Sequence, residues 1–357
     1  ISLLFSFNIR GRANFERETV KIKVQEIVDK KVKETNLTGV SVHIRGAEFD
    51  DIALVAGKKN INKKTQINKN TRFRIGSITK SFTAAAILKL FEEGKIDLDD
   101  KIIKYIHLKY DIFKNITIRN LLNMSSGLGD YLDDTDLVFN KVKNDSSSEF
   151  APEFLISVGV NIYEDLKFRP GNKFDYTNTN YILLGMIIEN VSGLNYETYL
   201  KKNFIEKYNL TSTIVERGIN VPHNLARGYF DSNNDNKLED WTKVNSSYVW
   251  SAGEIISTAS DVTKWLNLYI SGKLFNSNIS KEIYKGTHIN ENVIYSTGLS
   301  VAKKRIGHNG TVIGYHSDVW YDKDLGITIS VLSNLSGKED YTRQLINEIF
   351  AVLNDKN

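Results

Sequence analysis

A serine and a lysine three residues apart, Ser77 and Lys80, could form the centre of a hydrolytic site. Positions three apart share one face of a helix, so the lysine amine can approach the serine hydroxyl. A lysine amine removed from water loses its proton more readily, and a helix N-terminus favours negative charge at the serine. The alternative is an ordinary serine at a helix start. Ser300 and Lys303 have the same spacing but fall in a predicted strand, where they point to opposite faces.

The chain contains a single Tyr-x-Asn tripeptide, formed by Tyr176 and Asn178. It precedes a helix predicted to start near residue 180, so both side chains can project from an extended loop into one cleft. The tyrosine could exchange protons there, and the asparagine could bind a substrate carbonyl. The alternative is a buried tyrosine followed by a turn asparagine.

The chain also contains a single His-x-Gly tripeptide, His308-Asn309-Gly310. Glycine in a strand lets another backbone approach closely, and histidine can carry a proton near neutral pH. With an ordinary pKa of about 6.5, His308 is expected to bind anionic substrates more weakly as pH rises from 5 to 8. The alternative is a surface histidine in a hairpin turn.

The elements around these residues follow from hydrophobic periodicity and turn residues. We predict helices over residues 17–34, 77–93, 117–124, 150–160, 180–191, 196–208 and 338–353. We predict strands over residues 40–44, 51–56, 295–303, 305–307, 315–321 and 327–333.

This order of elements predicts an α+β fold, in which both chain ends complete one antiparallel sheet flanked by helices and a mostly helical domain lies between them. The predicted boundaries are 15–98 and 221–357 for the α/β domain and 99–220 for the helical domain. Residues 1–14, an apolar run followed by two arginines, are interpreted as a tail or as the remnant of a signal or anchor. The second interpretation implies export to the periplasm, the cell surface or the medium.

Composition narrows the chemistry further. The absence of cysteine excludes thiol catalysis, disulfides and thiolate metal sites. Asp231, Asn233 and Asp235 resemble the opening of a calcium loop, but the required glycine and glutamate do not follow. No zinc spacing, phosphate loop or nucleic-acid motif occurs, so no metal, cofactor or nucleic-acid partner is expected. The net charge of +4 favours anionic partners such as cell-wall polymers, or reflects an incidental lysine-rich surface.

Taken together, the three motifs in this order resemble the signature of the serine β-lactamase and penicillin-binding protein superfamily, in particular class C β-lactamases and D-alanyl-D-alanine carboxypeptidases. The similarity extends over residues 20–353 and includes four further stretches. They are LLNMSSGL at 121–128, FRPGNKFDY at 168–176, SAGEIISTASD at 251–261 and IGHNG at 306–310.

The resemblance implies a role for each site residue. Ser77 becomes the acylated nucleophile, Lys80 its base or proton relay, and Tyr176 a second proton-transfer group. Asn178 is expected to contact the substrate and Lys80, and His308 is the polar residue of the third motif, His-x-Gly. Substrate binding is implied for Asn309, Gly310 and Thr311. The backbone amides of Ser77 and Thr311 are expected to form the oxyanion hole.

Two departures from the family pattern bear on activity. Met124 stands where the family usually has histidine, and His308 stands where dedicated β-lactamases carry lysine. The second departure favours a D-stereospecific peptidase of the D-alanyl-D-alanine carboxypeptidase kind, acting on a small peptide or ester such as one derived from the cell wall. The alternatives are an esterase, a class C-type β-lactamase, or a penicillin-binding sensor without turnover. Oligomeric state is left open.

Overall fold

A nine-stranded antiparallel sheet joins the two ends of the chain in the computed structural model, which describes residues 2–46, 51–133, 135–163, 165–215 and 218–354. Its strand order is β3-β2-β1-β13-β12-β11-β10-β9-β8, so the first strand of the chain pairs with the last. The strands are β1 Gly39–Gly46, β2 Ile52–Asn60, β3 Thr65–Gln66, β4 Phe73–Arg74, β5 Tyr229–Phe230, β6 Glu239–Asp240, β7 Ile256–Ser257, β8 Thr287–Asn290, β9 Val293–Ser296, β10 Leu299–Ala302, β11 Arg305–Val312, β12 Tyr315–Asp322 and β13 Ile327–Ser333.

The described helices fall mainly between the two groups of strands. They are α1 Ser2–Glu34, α2 Thr79–Glu92, α3 Ile118–Leu122, α4 Asn140–Asn144, α5 Pro152–Asn161, α6 Thr179–Ser192, α7 Tyr196–Leu200, α8 Trp250–Gly253, α9 Ala259–Ile270, α10 Ser277–Ser280 and α11 Tyr341–Asn354. The predicted α+β architecture, with an antiparallel sheet completed by both chain ends, is confirmed. The predicted domain boundaries stay a prediction.

Several predicted elements differ from the structure. Helix α1 starts at Ser2 instead of residue 17, and that segment has no proline to stop it. The interpretation of residues 1–14 as a signal or anchor remnant stays a prediction. The strand predicted over 295–303 is a hairpin, because Thr297 and Gly298 adopt positive φ and reverse the chain between β9 and β10. The helix predicted over 196–208 ends at Leu200 and continues as a π-helical turn.

Helices cover the sheet on both faces. Helices α1 and α11 pack on one face, where Val24 and Val28 join Ile329 and Leu345 in a buried cluster. Helix α9 packs on the other face against β1, β12 and β13. A second buried cluster continues from that face through α2 and α6 into the helical region. No helix in the described part of the chain has the length and apolarity needed to cross a membrane.

Helix α2 is buried along nearly its whole length, as its apolar sequence predicts. The Phe82 ring stacks on Trp265 of α9 with centroids 3.8 Å apart. The Trp265 indole donates to the Ser81 hydroxyl at 2.8 Å, which fixes α2 against α9. Gly94 ends the helix region in the left-handed conformation, with φ +67°. Packing on several sides therefore fixes the position of the side chains that α2 carries.

We predict that Phe82→Ala destabilises the protein by about 3–5 kcal/mol, because it removes a fully buried aromatic ring and leaves a cavity. Urea denaturation followed by far-UV circular dichroism measures the change. Phe82→Leu serves as the control, since it retains most of the buried volume and costs less. A loss below about 1 kcal/mol for Phe82→Ala would contradict the packing described here.

Candidate active site

The site centres on the turn that precedes α2. Gly76, Ser77 and Ile78 form a 3-10 turn, and α2 then places Lys80 one turn beyond the serine. The Lys80 amine lies 2.9 Å from the Ser77 Oγ. The prediction that Ser77 itself starts the α-helix is therefore off by two residues, while the contact expected from the spacing is present.

Two further oxygens surround the Lys80 amine. Its Nζ lies 2.7 Å from the Asn178 Oδ1 and 2.9 Å from the Ala252 carbonyl oxygen. The side chain is fully buried, and burial lowers the pKa of Lys80 to about 7, although Asp130 acts in the opposite direction. A substantial fraction of the amine is thus neutral at neutral pH. A neutral amine beside a hydroxyl is the arrangement that general-base catalysis needs.

Tyr176 lies on another side of Ser77 and Lys80. Its hydroxyl is hydrogen-bonded to Ser77, and the Lys80 amine lies 5.1 Å from the centre of its ring. Burial raises the pKa of Tyr176 well above its ordinary value, and the hydrogen bond to Ser77 only partly offsets this. The phenol therefore keeps its proton at neutral pH. This favours Lys80 as the base and Tyr176 as a proton donor, an assignment that the sequence left open.

The edge of β11 faces the nucleophile. This strand pairs with β12 from Arg305 to Val312 but with β10 only at Ile306 and Gly307. Beyond Gly307, no described strand pairs with that edge of β11. An extended substrate backbone could pair there in the manner of an added strand.

Two glycines let the turn and the strand approach closely. A Cβ on Gly310 would lie 2.8 Å from the Ser77 nitrogen and 2.2 Å from the Ile75 oxygen. A Cβ on Gly76, whose φ is +51°, would lie 2.8 Å from the Thr311 nitrogen. The Ser77 and Thr311 amides thus flank the contact between the two glycines. An oxyanion hole built from these two amides stays a prediction.

The structure contradicts the expected titration of His308. The ring is buried, its Nδ1 contacts the Asn309 carbonyl oxygen, and its Nε2 lies 3.1 Å from the Tyr295 hydroxyl. A carbonyl oxygen can only accept, so Nδ1 carries the hydrogen and Nε2 accepts from Tyr295. Burial, reinforced by the nearby Lys80, lowers the pKa of His308 to about 3. The imidazole is therefore neutral throughout the range from pH 5 to 8, and the alternative of a surface histidine in a turn is also wrong.

The other two predicted substrate-binding residues of β11 lie differently. Side chains alternate along a strand, so those of Asn309 and Thr311 lie on the side opposite to His308 and Gly310. Both residues are solvent-exposed. Thr311 can serve the site through its backbone amide, whereas a role for Asn309 in substrate binding stays a prediction.

Sequence reasoning missed three residues of the site. Asp130 accepts hydrogen bonds from Asn178, Ala252 contacts Lys80 through its carbonyl oxygen, and Tyr295 contacts His308. Ala252 lies in the SAGE stretch noted above, but its contact is made by backbone, which no residue type encodes. Asp130 comes two residues after the LLNMSSGL stretch, and only its position there could have drawn attention to it.

The remaining candidates do not converge on this site. Ser300 lies in β10, and its counterpart Lys303 follows the end of that strand. The Asp231 carboxylate accepts from the backbone of Asp235 and Asn236 in its own loop. Within the described ranges, no three histidine, aspartate or glutamate residues gather as a metal site would require.

A serine, a buried lysine and a tyrosine between a helical region and a sheet edge define a serine hydrolase of the β-lactamase and transpeptidase fold. The model of the family described as Beta-lactamase matches residues 24–353, so the chain belongs to that family. The resemblance seen in the sequence is therefore confirmed.

Individual relatives are distant but match along most of the chain. Protein flp of Staphylococcus aureus (strain N315) is 25% identical in an alignment of 345 residues, which covers 92% of this chain but only 65% of that protein. The structure of a D-stereospecific amidohydrolase from Streptomyces sp. has a TM-score of 0.81 and 27% identity, covering 92% of this chain and 97% of that one. The octameric penicillin-binding protein homologue from Pyrococcus abyssi has a TM-score of 0.81 and 28% identity, covering 94% and 77%.

We predict that kcat/KM rises with pH through a single limb near pH 7, because the pKa of Lys80 is lowered to about 7 and only the neutral amine can accept the serine proton. Neither Tyr176 nor His308 titrates in that range. Lys80→Ala should reduce kcat by about a hundredfold or more and remove the limb. Initial rates measured between pH 5 and 9 test this, and a flat wild-type profile would show that Lys80 is not the base.

Proposed function

We propose that this protein is a D-stereospecific amidohydrolase or peptidase that acts through an acyl-enzyme on Ser77. The observation that carries the proposal is the contact of one buried, partly neutral Lys80 amine with the Ser77 hydroxyl, beside a protonated Tyr176. Similarity to the D-stereospecific amidohydrolase from Streptomyces sp. supports the substrate class.

The reaction follows from the positions of these groups. The Ser77 Oγ attacks the substrate carbonyl carbon and passes its proton to the Lys80 Nζ. The carbonyl oxygen becomes an oxyanion, which the Ser77 and Thr311 amides stabilise. Tyr176 donates its proton to the leaving amine or alkoxide as the C–N or C–O bond breaks, and it regains a proton from Lys80. A water molecule then attacks the acyl carbon, and the same groups return the proton to Ser77.

The third motif bears on the kind of leaving group. Lysine at this position would be a fixed cation that attracts a substrate carboxylate, whereas His308 is neutral and both of its ring nitrogens have partners. His308 therefore offers neither a charge nor a free N–H to an anionic leaving group. This favours amides, amidated peptides and esters over peptides that end in a free carboxylate, and it disfavours efficient β-lactam turnover.

A D-alanyl-D-alanine carboxypeptidase of the penicillin-binding kind is the second candidate. The similarity to the Pyrococcus abyssi penicillin-binding protein homologue supports it. Under that alternative, a group other than His308 binds the terminal carboxylate of the peptide. Origin of the substrate from the cell wall and export of the protein remain part of this proposal.

Covalent labelling tests the nucleophile. We predict that a fluorophosphonate probe forms an adduct with Ser77, identified by peptide mass mapping, and that Ser77→Ala abolishes labelling. Ser300→Ala is the matched control, because Ser300 has the same spacing to a lysine but lies in β10. An adduct on Ser300, or on no serine, would contradict the assignment.

A matched pair of substrates tests the leaving group. We predict that a D-alanyl-D-alanine peptide with an amidated C-terminus is hydrolysed with a kcat/KM at least equal to that of its free acid. Introducing a cation with His308→Lys should improve kcat/KM for the free acid, relative to the amide, by about tenfold, the worth of one charge-assisted hydrogen bond.

The KM of the free acid should stay constant between pH 5 and 8 relative to that of the amide, because His308 does not titrate in that range. Strong wild-type preference for the free acid would instead support the carboxypeptidase.

A further inference from the structure

We propose that Asp130 is a positioning residue of this site, which holds the Asn178 amide in the one orientation that leaves the Lys80 lone pair directed at Ser77. The inference rests on the proposed role of Lys80 as base. It holds for any acyl substrate, because it concerns the step in which Ser77 gives up its proton.

The contacts of Asp130 place it directly behind Asn178. Its Oδ2 accepts from the Asn178 side-chain Nδ2 at 2.8 Å and from the Asn178 backbone nitrogen at 3.1 Å. Its Oδ1 accepts from the Leu132 backbone nitrogen at 3.1 Å. The side chain is only 7% exposed. Both oxygens therefore accept hydrogen bonds in a buried place, and the carboxylate cannot turn without losing them.

These contacts leave the Asn178 amide a single orientation. A carboxylate can only accept, so the end of the amide that faces Asp130 must be the NH2 group. The amide oxygen is then the atom that faces the Lys80 amine, at 2.7 Å. In the reversed orientation, the amide oxygen would face the carboxylate, and the NH2 group would face the amine. Two acceptors would meet at one end, and the NH2 group would compete for the lysine lone pair at the other.

The orientation of Asn178 in turn directs the Lys80 lone pair. A neutral amine has two N–H bonds and one lone pair, and the Lys80 amine has three oxygen neighbours. The Asn178 and Ala252 oxygens can only accept, so they take the two N–H bonds. The Ser77 hydroxyl is the remaining neighbour and is able to donate. Its proton therefore meets the lone pair, and transfer breaks the O–H bond while forming the third N–H bond of Lys80.

Asp130 also acts on the site through its charge. Burial raises the pKa of Asp130 and Asp133 adds a little to this, while the hydrogen bonds from the Leu132 and Asn178 backbone and the charge of Lys80 act in the opposite direction. The charge of Asp130 in turn acts on Lys80, Tyr131 and Tyr176. The negative charge raises the pKa of Lys80, against the larger opposite effect of burial. The effect of Asp130 on the orientation of the Asn178 amide and the effect of its charge can be separated by experiment. Only the charge shifts the pH at which the acylation rate rises.

Acylation of Ser77 by a fluorophosphonate probe, measured as a rate between pH 5 and 9, tests the inference without knowledge of the natural substrate. Asp130→Asn should lower the plateau rate by about tenfold or more, because the amide orientation is no longer fixed. It should also move the acid limb to lower pH by about one unit, because the charge is lost. Asp133→Asn is the matched control and should change neither quantity by a comparable amount, since Asp133 lacks the contact with Asn178.

A double-mutant cycle shows whether Asp130 acts through Asn178. Once Asn178→Ala has removed the amide, Asp130→Asn should lower the plateau rate little further. Should Asp130→Asn fail to fold, as judged by circular dichroism, Asp130→Glu replaces it. That variant keeps the charge but displaces the carboxylate, so it should lower the plateau and leave the limb in place.

A folded Asp130→Asn variant with an unchanged plateau, or with effects fully additive to those of Asn178→Ala, would overturn the inference. A wild-type protein that is not labelled at Ser77 would contradict the proposed function instead.

Discussion

The site depends on the cost of burying one lysine amine. A charged ammonium group removed from water is strongly disfavoured, so the protein either supplies partners or lets the group lose its proton. Here it does both in part: Ser77, Asn178 and Ala252 provide three oxygens, and the pKa of Lys80 falls to about 7. The same burial that costs stability therefore produces a base that works at neutral pH.

Much of the surrounding fold shields the Lys80 amine from solvent and fixes its position. Helix α2 is held by the stack of Phe82 on Trp265 and by the Thr83 hydroxyl, which donates to the Ser251 carbonyl oxygen at 2.6 Å. The turn between β9 and β10 presses on the Lys80 backbone, where a Cβ on Gly298 would lie 2.6 Å from the Lys80 oxygen. Neighbouring segments thus fix the Lys80 backbone from several sides, which leaves its long side chain little freedom to move away from Ser77.

Features that depend on local spacing could be predicted from the sequence, whereas features that depend on tertiary packing could not. The contact between Ser77 and Lys80 follows from helical periodicity, and the strands near the two ends of the chain follow from alternating or continuous apolar residues. The neutral state of His308 cannot be predicted in this way, because it arises from burial between the Tyr176 and Tyr295 rings, which lie far from each other in sequence. The role of Asp130 was equally hidden, since its partner Asn178 lies 48 residues away.

The neutral state of His308 in the third motif is consistent with the presence of Lys80 nearby. A lysine in place of His308 would put a second cation beside Lys80, and like charges lower each other's pKa. Burial of His308 already makes its charged form unfavourable, and Lys80 adds to this effect. Asp130 therefore remains the charged group that raises the pKa of Lys80, while burial lowers that pKa. Two opposing effects of this kind can set the pKa of a base near neutrality, and the orientation of the Asn178 amide determines where its lone pair points.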